Sequence, residues 1–221
     1  MGRLRRSAIV SSNRKSACLR HSWQHLVPMH WRWRLCCWAS SQLMDTPVYY
    51  ARNLAKGPLP QDKGKVPVQI VQPGEEEGVR QVAVKAFLGY FGHYHAYSRL
   101  DRAACDKIYT SWAVRSCLSR EVADDVLVAN RGDNIVGFIS LKLNNNEEGE
   151  GRLFAVSPEV QGQGISRSLM VQAMEWFLSR GARRMIISTQ ITNIGVQKVW
   201  VRLGLEPAYA YHTFHKWFDQ S

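Results

Sequence analysis

The chain has 221 residues, of which 45% are hydrophobic and 21% charged. It is long enough to bury a sizeable core in one large domain, or in one domain with an extension. Its formal net charge of +11 suggests a nucleic-acid or membrane partner until the basic residues are located. No stretch approaches the roughly 18 apolar residues of a membrane span, so no transmembrane segment is expected.

The basic excess lies in residues 1–44. This segment has no acidic residue and eight basic ones, which are Arg3, Arg5, Arg6, Arg14, Lys15, Arg20, Arg32 and Arg34. Residues 45–221 carry the other 21 basic residues and 18 acidic ones, a net charge of +3, so no nucleic acid is expected to bind the folded domain. We interpret 1–44 as a leader outside the fold, for example translation begun upstream of a start at Met44. A transit peptide and an arm that binds nucleic acid or membrane surfaces are the alternatives.

The cysteines indicate a reducing compartment. Their number, five, is odd, and no C-x-x-C occurs. Cys105 and Cys117 fall on one predicted helix, about 18 Å apart at a rise of ~1.5 Å per residue, which is beyond disulfide reach. We therefore expect a cytoplasmic protein without structural disulfides, and no zinc site is supported.

Residues 45–65 contain three prolines and read as an irregular connector. We therefore expect a basic leader and linker over 1–65 and one folded domain over 66–221. The elements predicted in the domain are a strand at 68–70, helices over 75–88 and 102–119, strands over 125–130, 135–143 and 150–156, a helix over 164–180, a strand over 185–189, a helix over 194–203 and a strand over 206–217. A helical crossover requires the strands on either side of the third helix to be parallel.

The segment 90–101 is aromatic and polar, unlike a core element. His93 and His95 form an H-x-H pair that could bind a metal in a strand, but no third ligand lies nearby, so no metal is expected. Aromatic loops that carry arginine and histidine often form binding walls against sugar faces. Simple surface packing is the alternative. On the first interpretation, His93, Tyr94 and His95 contact substrate together with Tyr109 of the following helix.

The glycine-rich turn over 156–166 joins a strand to a helix. The first N–H groups of a helix lack internal partners, so such a turn can hold an anion such as phosphate. Gly162 and Gly164 let the backbone approach a ligand without a Cβ in the way. The turn lacks the third glycine of a dinucleotide-binding fold and the Gly-Lys-Ser/Thr of a P-loop. An ordinary strand-to-helix connection is the competing interpretation.

The wider pattern resembles the acetyl-CoA signature of the GNAT N-acetyltransferases. The residues Gln161-Gly-Gln-Gly164 match the core of that signature, and the spacing from Asn193 to Trp200 is similar to a later helix of the family. The resemblance covers about 66–218 and implies an α/β (α+β) fold, with a mixed central sheet of about six to seven strands and about four helices. Ser166 stands where the family has a last Gly or Ala, and Trp200 stands where it usually has a tyrosine that serves as general acid.

The resemblance implies acetyl-CoA as co-substrate and no metal. The residues implied to bind it are Val156, Ser157, Gln161, Gly162, Gln163, Gly164, Ile165, Ser166 and Asn193. N–H groups of 163–165, with the hydroxyl of Ser166 or Ser168, would hold the pyrophosphate, and Asn193 would bond the pantetheine arm. Lys198 or Arg167 would meet the adenosine phosphate or be solvated at the surface.

A closer resemblance is carried by Tyr109-x-x-Trp112, by Ser188-Thr-Gln-x-x-Asn193 and by the ending His215-Lys-Trp-Phe218. These stretches look like the dTDP-fucosamine acetyltransferases, which acetylate the amino group of a nucleotide-linked deoxysugar in surface-polysaccharide synthesis. Gln190 then joins the expected substrate-binding residues. The alternatives are a protein or peptide N-acetyltransferase and a non-catalytic CoA-binding module; a homodimer is also left open.

The expected catalytic residues are Glu150, Trp200 and Tyr209. Glu150, on the same face of its strand as Val156, is the candidate base that removes a proton from the amine. An indole N–H donates a hydrogen bond but does not give up its proton at useful pH, so Trp200 would steer the thiol without protonating it. Tyr209 is a candidate acid; Tyr211, His212 and His215 lie near it in the sequence.

Overall fold

A computed structural model describes the backbone of residues 23–25, together with residues 42–62, 66–90, 92, 94–96 and 99–216. The predicted leader lies largely outside these ranges and stays a prediction there, but its described residues, 23–25 and 42–44, form strands that pair with His212–His215 and are therefore part of the fold. Among the described helices, none combines the length and the apolar character needed to cross a bilayer.

The described residues contain four α-helices and ten strands. The helices are α1 (Glu76–Ala86), α2 (Arg102–Leu118), α3 (Ile165–Ser179) and α4 (Ile194–Arg202). The strands are β1 (Trp23–His25), β2 (Gln42–Asp45), β3 (Pro47–Asn53), β4 (Val68–Ile70), β5 (Asp125–Arg131), β6 (Asn134–Leu143), β7 (Glu148–Val156), β8 (Arg184–Gln190), β9 (Glu206–Ala210) and β10 (His212–His215).

Seven strands form one mixed sheet in the order β4-β5-β6-β7-β8-β3-β9. Every neighbouring pair is antiparallel except β7 and β8. The parallel pair is the one joined by the crossover through α3, as predicted. A smaller sheet has the order β1-β10-β2. The predicted mixed sheet with four helices is confirmed.

Strand β3 corrects the expectation of an irregular connector over 45–65. It lies inside the large sheet, with Tyr49 opposite Ser188 of β8 and opposite Tyr209 of β9. Pro47 is its first residue, a strand position that tolerates proline. Its residues, PVYYARN, do not alternate between apolar and polar, so no period-2 pattern marked it.

The predicted strand over 206–217 is wrong as a single element. It breaks at Tyr211, whose N–H donates to the carbonyl of Pro47 at 3.0 Å. The residues before the break, β9, pair with β3, whereas those after it, β10, pair with β1 and β2. The break therefore moves the chain from the large sheet to the small one.

Two apolar clusters cover opposite faces of the large sheet. One contains Leu169 and Phe177 of α3 and Trp200 of α4. The other contains Val79 of α1 and Ala113 of α2. Helices α3 and α4 thus pack on one face and α1 and α2 on the other, so a ligand that passes through the sheet meets both layers.

Candidate active site

Strands β7 and β8 are paired only at their beginnings. The pairing runs from Glu148 opposite Arg184 to Gly151 opposite Ile187. Both strands continue further, β7 to Val156 and β8 to Gln190. The strands therefore diverge, and a gap opens between their carboxyl-terminal halves.

A β-bulge in β7 lies where the gap begins. Ser140 of β6 is opposite Leu153, and the next residue, Leu141, is opposite Gly151, so Arg152 is the extra residue. The Ser140 hydroxyl accepts a hydrogen bond from the Leu153 N–H at 2.9 Å. Bulges locally disrupt the ladder and redirect side chains, and they are frequent next to active sites.

The bulge reverses the side-chain alternation along β7. A Cβ added at Gly151 would point into the α3 side of the sheet, as Val156 does, whereas Leu153 packs on the α1 and α2 side. Glu150, next to Gly151, therefore faces away from Val156. The expectation that these two share a face is wrong, because a regular period of two assumes that no residue is inserted.

A cavity of about 180 Å³ occupies the gap. Side chains from both helical layers and from the N-terminal strands line it. The polar and aromatic lining residues are Asp45, Phe87, Tyr90, Tyr109, Trp112, Arg152, Phe154, Ser188, Thr189, Gln190, Asn193 and Trp200. The structure thus brings together four of the predicted site residues: Tyr109, Gln190, Asn193 and Trp200.

The Trp200 side chain presents an unused hydrogen-bond donor. The residue is only 1% exposed, and its Nε1–H has no acceptor among the described residues. A buried donor without a partner costs about 1–3 kcal/mol. Because the indole lines the cavity, a ligand there can provide the missing acceptor.

The start of α3 is open, as an anion site requires. Gly164 is its N-cap, in the left-handed conformation at φ 88°, and no side chain caps the helix. The N–H groups of Gln163, Gly164 and Ile165 have no hydrogen-bond partner among the described residues. The unpaired amides and the positive end of the helix dipole together favour a bound phosphate.

The edge of β7 offers a backbone donor to the gap. Ser157 N–H donates to the carbonyl of Val136 in β6 at 2.9 Å, so it is engaged within the sheet. Alternation in an antiparallel ladder turns the Val156 N–H the other way, toward the gap. The Val156 carbonyl accepts from the Gln161 side chain at 3.3 Å. Of the two predicted backbone sites, Val156 therefore has the available N–H.

The Ser168 hydroxyl, near the start of α3, and the Asn193 side-chain amide, at the start of α4, are held by hydrogen bonds within the chain. The Ser168 hydroxyl donates to Asp62 at 2.9 Å, which leaves Ser166 as the hydroxyl not so engaged. Asn193, at the start of α4, donates from Nδ2 to Thr189 Oγ1 at 3.0 Å. Asn193 borders the cavity, in a position to meet an extended ligand that runs from α3 into the gap.

Tyrosines cover the sheet beside the cavity. Tyr49 stacks on Tyr209 with ring centroids 4.6 Å apart. Burial raises the pKa of Tyr49 to about 12, and the charge of Glu150 acts in the same direction. A hydrogen bond to Ser188 partly offsets this rise. Burial also raises the pKa of Tyr209. Both phenols are therefore neutral at physiological pH.

Glu150 belongs to the same surface. Its side chain is 21% exposed, and its Oε2 lies 3.6 Å from Nε of Arg152. Burial raises the pKa of Glu150, and the charge of Arg152 opposes the shift. A carboxylate with a raised pKa suits a general base. Glu150 and Tyr209 lie beside the cavity and are not among its lining residues.

Of the two predicted substrate-binding histidines, His95 is not among the residues that line the cavity. His93 lies outside the described residues. His95 Nε2 lies 2.9 Å from Asp106 Oδ1, and His95 borders an open groove between α1 and α2. The Tyr94 carbonyl accepts from the thiol of Cys105 at 3.4 Å. No group of three or more potential metal ligands occurs in the described ranges.

Sequence reasoning missed two parts of the wall. Phe87, directly after α1, forms a continuous aromatic surface with Tyr109 and with Tyr90, which begins the segment 90–101 predicted as a possible wall; ring centroids are 4.8 to 5.6 Å apart. Their aromatic character was visible in the sequence, but their direction depends on where α1 ends. Asp45 and Pro47 come from the segment that lacked any period, so no signal could have placed them.

Comparisons with known proteins agree with this geometry. Residues 88–205, more than half of the chain, match the sequence profile of the acetyltransferase (GNAT) family. A solved GCN5-related N-acetyltransferase from Sphaerobacter thermophilus superposes with a TM-score of 0.57 at 18% identity, covering 82% of this chain and 54% of that chain.

Two curated proteins show sequence similarity. The spore coat polysaccharide biosynthesis protein SpsD of Bacillus subtilis (strain 168) is 24% identical over 146 residues, which cover 66% of this chain and 49% of the relative. The mycothiol acetyltransferase of Saccharopolyspora erythraea is 28% identical over 78 residues, 35% of this chain and 26% of the relative. The chain thus spans less than half the length of either relative. With the profile match over 88–205 and the seven-stranded fold, it belongs to the acetyltransferase (GNAT) family.

Proposed function

We propose that this acetyltransferase transfers the acetyl group of acetyl-CoA to the amino group of a nucleotide-linked amino-deoxysugar, directly and in a ternary complex. The observation that carries the proposal is the cavity between β7 and β8. It lies between the helical layer that presents the open start of α3 and the layer that presents the aromatic wall. A coenzyme and an acceptor entering from opposite faces of the sheet would meet in this cavity.

Groups of this chain are placed to bind each part of acetyl-CoA. The coenzyme supplies the acetyl group as a thioester. The N–H groups of 163–165 and the Ser166 hydroxyl would hold the pyrophosphate. Val156 N–H and Asn193 would bond the pantetheine arm along the gap. Trp200 Nε1–H, buried and without an acceptor among the described residues, would donate to the sulfur or to the carbonyl oxygen. A donor placed where negative charge develops stabilises the transition state.

The acceptor amine must be neutral to attack a thioester. Glu150 is the proposed base, acting directly or through one water molecule, since burial raises its pKa and so brings it closer to the working pH. A thiolate can leave without being protonated. We therefore assign Trp200 the role of hydrogen-bond donor and no proton transfer. Tyr209 remains the candidate acid on the acceptor side.

Three features support an anionic amino-sugar acceptor. The rings of Phe87, Tyr90 and Tyr109 offer flat apolar surface of the kind that covers sugar faces. The relative SpsD is named for polysaccharide biosynthesis. The groove between α1 and α2, which shares Phe87 and Tyr90 with the cavity, is bordered by four arginine or lysine residues and one aspartate. A basic groove suits a nucleotide diphosphate better than the cationic N-terminus of a peptide, the alternative acceptor.

Two measurements test the proposal in order. Calorimetric titration with CoA should give one site per chain; no binding would reject every function that depends on the start of α3. Turnover of acetyl-CoA should then be measured with dTDP-4-amino-4,6-dideoxygalactose and, in parallel, with a peptide bearing a free N-terminus. Acetylation of the sugar nucleotide alone is the expected result. Acetylation of the peptide alone would instead identify a protein N-acetyltransferase, and CoA binding without turnover a non-catalytic module.

A further inference from the structure

The cavity between β7 and β8 is too small to enclose a nucleotide-linked sugar. Its volume is about 180 Å³, whereas pockets that enclose small-molecule ligands measure about 300–1,000 Å³. A nucleotide sugar consists of a sugar, a diphosphate and a nucleoside, and only its reacting amine must reach the thioester. The cavity therefore holds at most the amine and its sugar ring, and the rest of the acceptor must bind outside it.

A larger groove adjoins the cavity on its acceptor side. It lies between α1 and α2, and its volume is about 900 Å³. The residues Phe87 and Tyr90 line both the cavity and this α1–α2 groove, and their ring centroids are 5.6 Å apart. A ligand that covers the aromatic wall with its sugar ring can therefore continue into the α1–α2 groove.

Three of the cations that line the α1–α2 groove are not paired with a carboxylate. Arg80 is paired, since its guanidinium donates two hydrogen bonds to Glu77, each at 2.6 Å. Arg102, Lys107 and Arg115 are exposed, and their side chains form no hydrogen bond or ion pair in the part of the chain that the structure describes. These three positive charges are available to an anionic ligand.

One acidic residue opposes these cations. Asp106 lines the α1–α2 groove, and its Oδ1 lies 2.9 Å from Nε2 of His95, which lines the groove as well. Three unpaired cations against one carboxylate leave an excess of positive charge, even if His95 is neutral. Such an excess in a groove raises the local concentration of anions. The diphosphate is the anionic part of a nucleotide sugar, so it is the part that this lining attracts.

The three cations are spread along the α1–α2 groove. Arg102 and Arg115 lie near the two ends of α2, about 20 Å apart along the axis at a rise of ~1.5 Å per residue. Lys107 lies between them. A diphosphate that leaves the cavity past Phe87 and Tyr90 therefore has a cation on α2 within reach, and a second one further along the groove.

The rest of the groove lining suits a nucleoside. Val84 and Leu88 expose 44% and 84% of their surface, and both line the groove. Thr110 and Ser111 add hydroxyl groups to the same lining. Apolar side chains with a few polar groups are typical of small-molecule sites. The apolar side chains can cover the flat face of a base, and the hydroxyls can donate to or accept from its polar edge.

We propose that the α1–α2 groove binds the nucleoside diphosphate part of the acceptor, with Arg102, Lys107 and Arg115 as the residues that recognise the diphosphate. The inference rests on the proposed function, because it takes a nucleotide-linked sugar as the acceptor. It deepens that function by assigning the affinity for the nucleotide to α1 and α2. The reacting amine and the nucleotide would then be recognised at two separate places.

Steady-state kinetics with two acceptors test the proposal. One acceptor is dTDP-4-amino-4,6-dideoxygalactose, and the other is the same amino sugar without the nucleotide. The groove variant Arg102→Gln/Lys107→Gln/Arg115→Gln should raise KM for the nucleotide sugar by about 10-fold or more, the effect of losing a charge-assisted hydrogen bond. Its kcat should stay within about twofold of wild type. Its kcat/KM for the free sugar should match wild type, because that acceptor does not reach the groove.

A matched control removes three charges elsewhere. Lys56, Arg120 and Arg202 are exposed and line neither the cavity nor the groove; each set contains one arginine from the last turn of a helix. Replacing these three by glutamine should leave KM for both acceptors within about twofold of wild type. Thermal melting and the calorimetric affinity for CoA should be alike in the two triple variants. Lys107→Glu, a single charge reversal, is the second groove variant and should raise the same KM.

A binding measurement tests the groove without turnover. The protein is first saturated with CoA, so that the start of α3 cannot hold another diphosphate, and dTDP is then titrated by calorimetry. We expect one dTDP per chain, bound more weakly as salt is added and about 10-fold or more weakly by the groove variant. No binding to the CoA-saturated protein, or equal affinity in wild type and the groove variant, would overturn the proposal. An equal rise in KM for the two acceptors would overturn it as well.

The outcomes also distinguish this inference from the proposed function. If wild type acetylates a peptide or a free amino sugar and not the nucleotide sugar, the proposed function fails, and the dTDP titration still decides whether the groove binds a nucleoside diphosphate. If wild type acetylates the nucleotide sugar and the groove variant has the same KM for it, only the assignment of the groove is rejected.

Discussion

The ring of Tyr50 meets the indole of Trp200 edge-on, with centroids 5.6 Å apart and planes at 62°. The Tyr50 hydroxyl also donates to the side chain of Gln197, one turn earlier on α4, at 3.1 Å. Strand β3 therefore holds the indole that lines the cavity.

Replacing Trp200 by Phe should leave the enzyme active. The change keeps an aromatic ring against Tyr50 and removes only the Nε1–H donor, so kcat should fall by about 10-fold, the effect of one hydrogen bond. Trp176→Phe is the matched control, because its indole donates to Asp125 at 3.0 Å. The control should lower the free energy of unfolding without changing kcat. A loss of several orders of magnitude in Trp200→Phe would show that the indole does more than donate one hydrogen bond.

Replacing Gly162 by Ala should weaken coenzyme binding specifically. Gly162 has φ 77° and precedes the open amides, whereas Gly181 has φ 86° at the other end of α3; an added Cβ meets no atom within 4 Å at either position. Both alanine variants should therefore lose a similar free energy of unfolding, about 1 kcal/mol, from backbone strain. Calorimetry should show weaker CoA binding for Gly162→Ala alone. Equal CoA affinity in the two variants would argue against phosphate binding at this turn.

Replacing Gly149 by Ala should destabilise the fold. A Cβ at this position of β7 would overlap the ring of Phe177 on α3, and overpacking a core typically costs about 1–3 kcal/mol. Gly195→Ala is the matched control, since a Cβ there meets nothing within 4 Å and alanine favours a helix. Thermal melting should show a lower midpoint for Gly149→Ala and an unchanged or higher one for Gly195→Ala. Equal midpoints would mean that the two layers repack freely.

The stability of the β5–β6 region should depend on pH through Asp124. Burial alone would raise the pKa of Asp124, but hydrogen bonds from the Lys142 ammonium at 2.8 Å and from the Leu143 N–H at 2.7 Å lower it overall. A lowered pKa in the folded state contributes stability that is present above the unfolded value, about 3.9, and is lost as the pH falls through the folded value.

Asp124→Asn should accordingly lower the free energy of unfolding at pH 7 by about 1–2 kcal/mol. The difference from wild type should shrink below about pH 4, where the carboxyl of the unfolded chain is protonated. Urea denaturation at pH 7 and at pH 3 measures both values. A difference that is the same at the two pH values would show that ionisation of Asp124 is not involved.

Periodicity predicted most of the helices because their apolar residues recur at helical spacing. Val79 and Val82 of α1, like Leu169 and Phe177 of α3, recur at helical spacing and are buried. The start of α3 was predictable for the same local reason, since two glycines follow a strand and precede an apolar helix. These features depend on neighbours in the sequence.

The site beyond that turn depends on distant partners. The bulge at Arg152 arises from the pairing of β7 with β6, and the gap from the end of pairing between β7 and β8. Tyr50 meets Gln197, 147 positions away. Nothing in the local sequence around Asp45 specifies such contacts, so its place in the cavity wall could not be found without the structure.

The central place of β3 has a consequence for biosynthesis. Its two neighbours, β8 and β9, are translated after more than a hundred further residues, so at about 5–20 residues per second the strand waits roughly 7 to 30 seconds with both edges open. Unpaired strand edges are templates for aggregation. A nascent chain that stops before residue 184 should therefore depend on chaperones, and the acceptor side of the enzyme can assemble only when the last strands have left the ribosome.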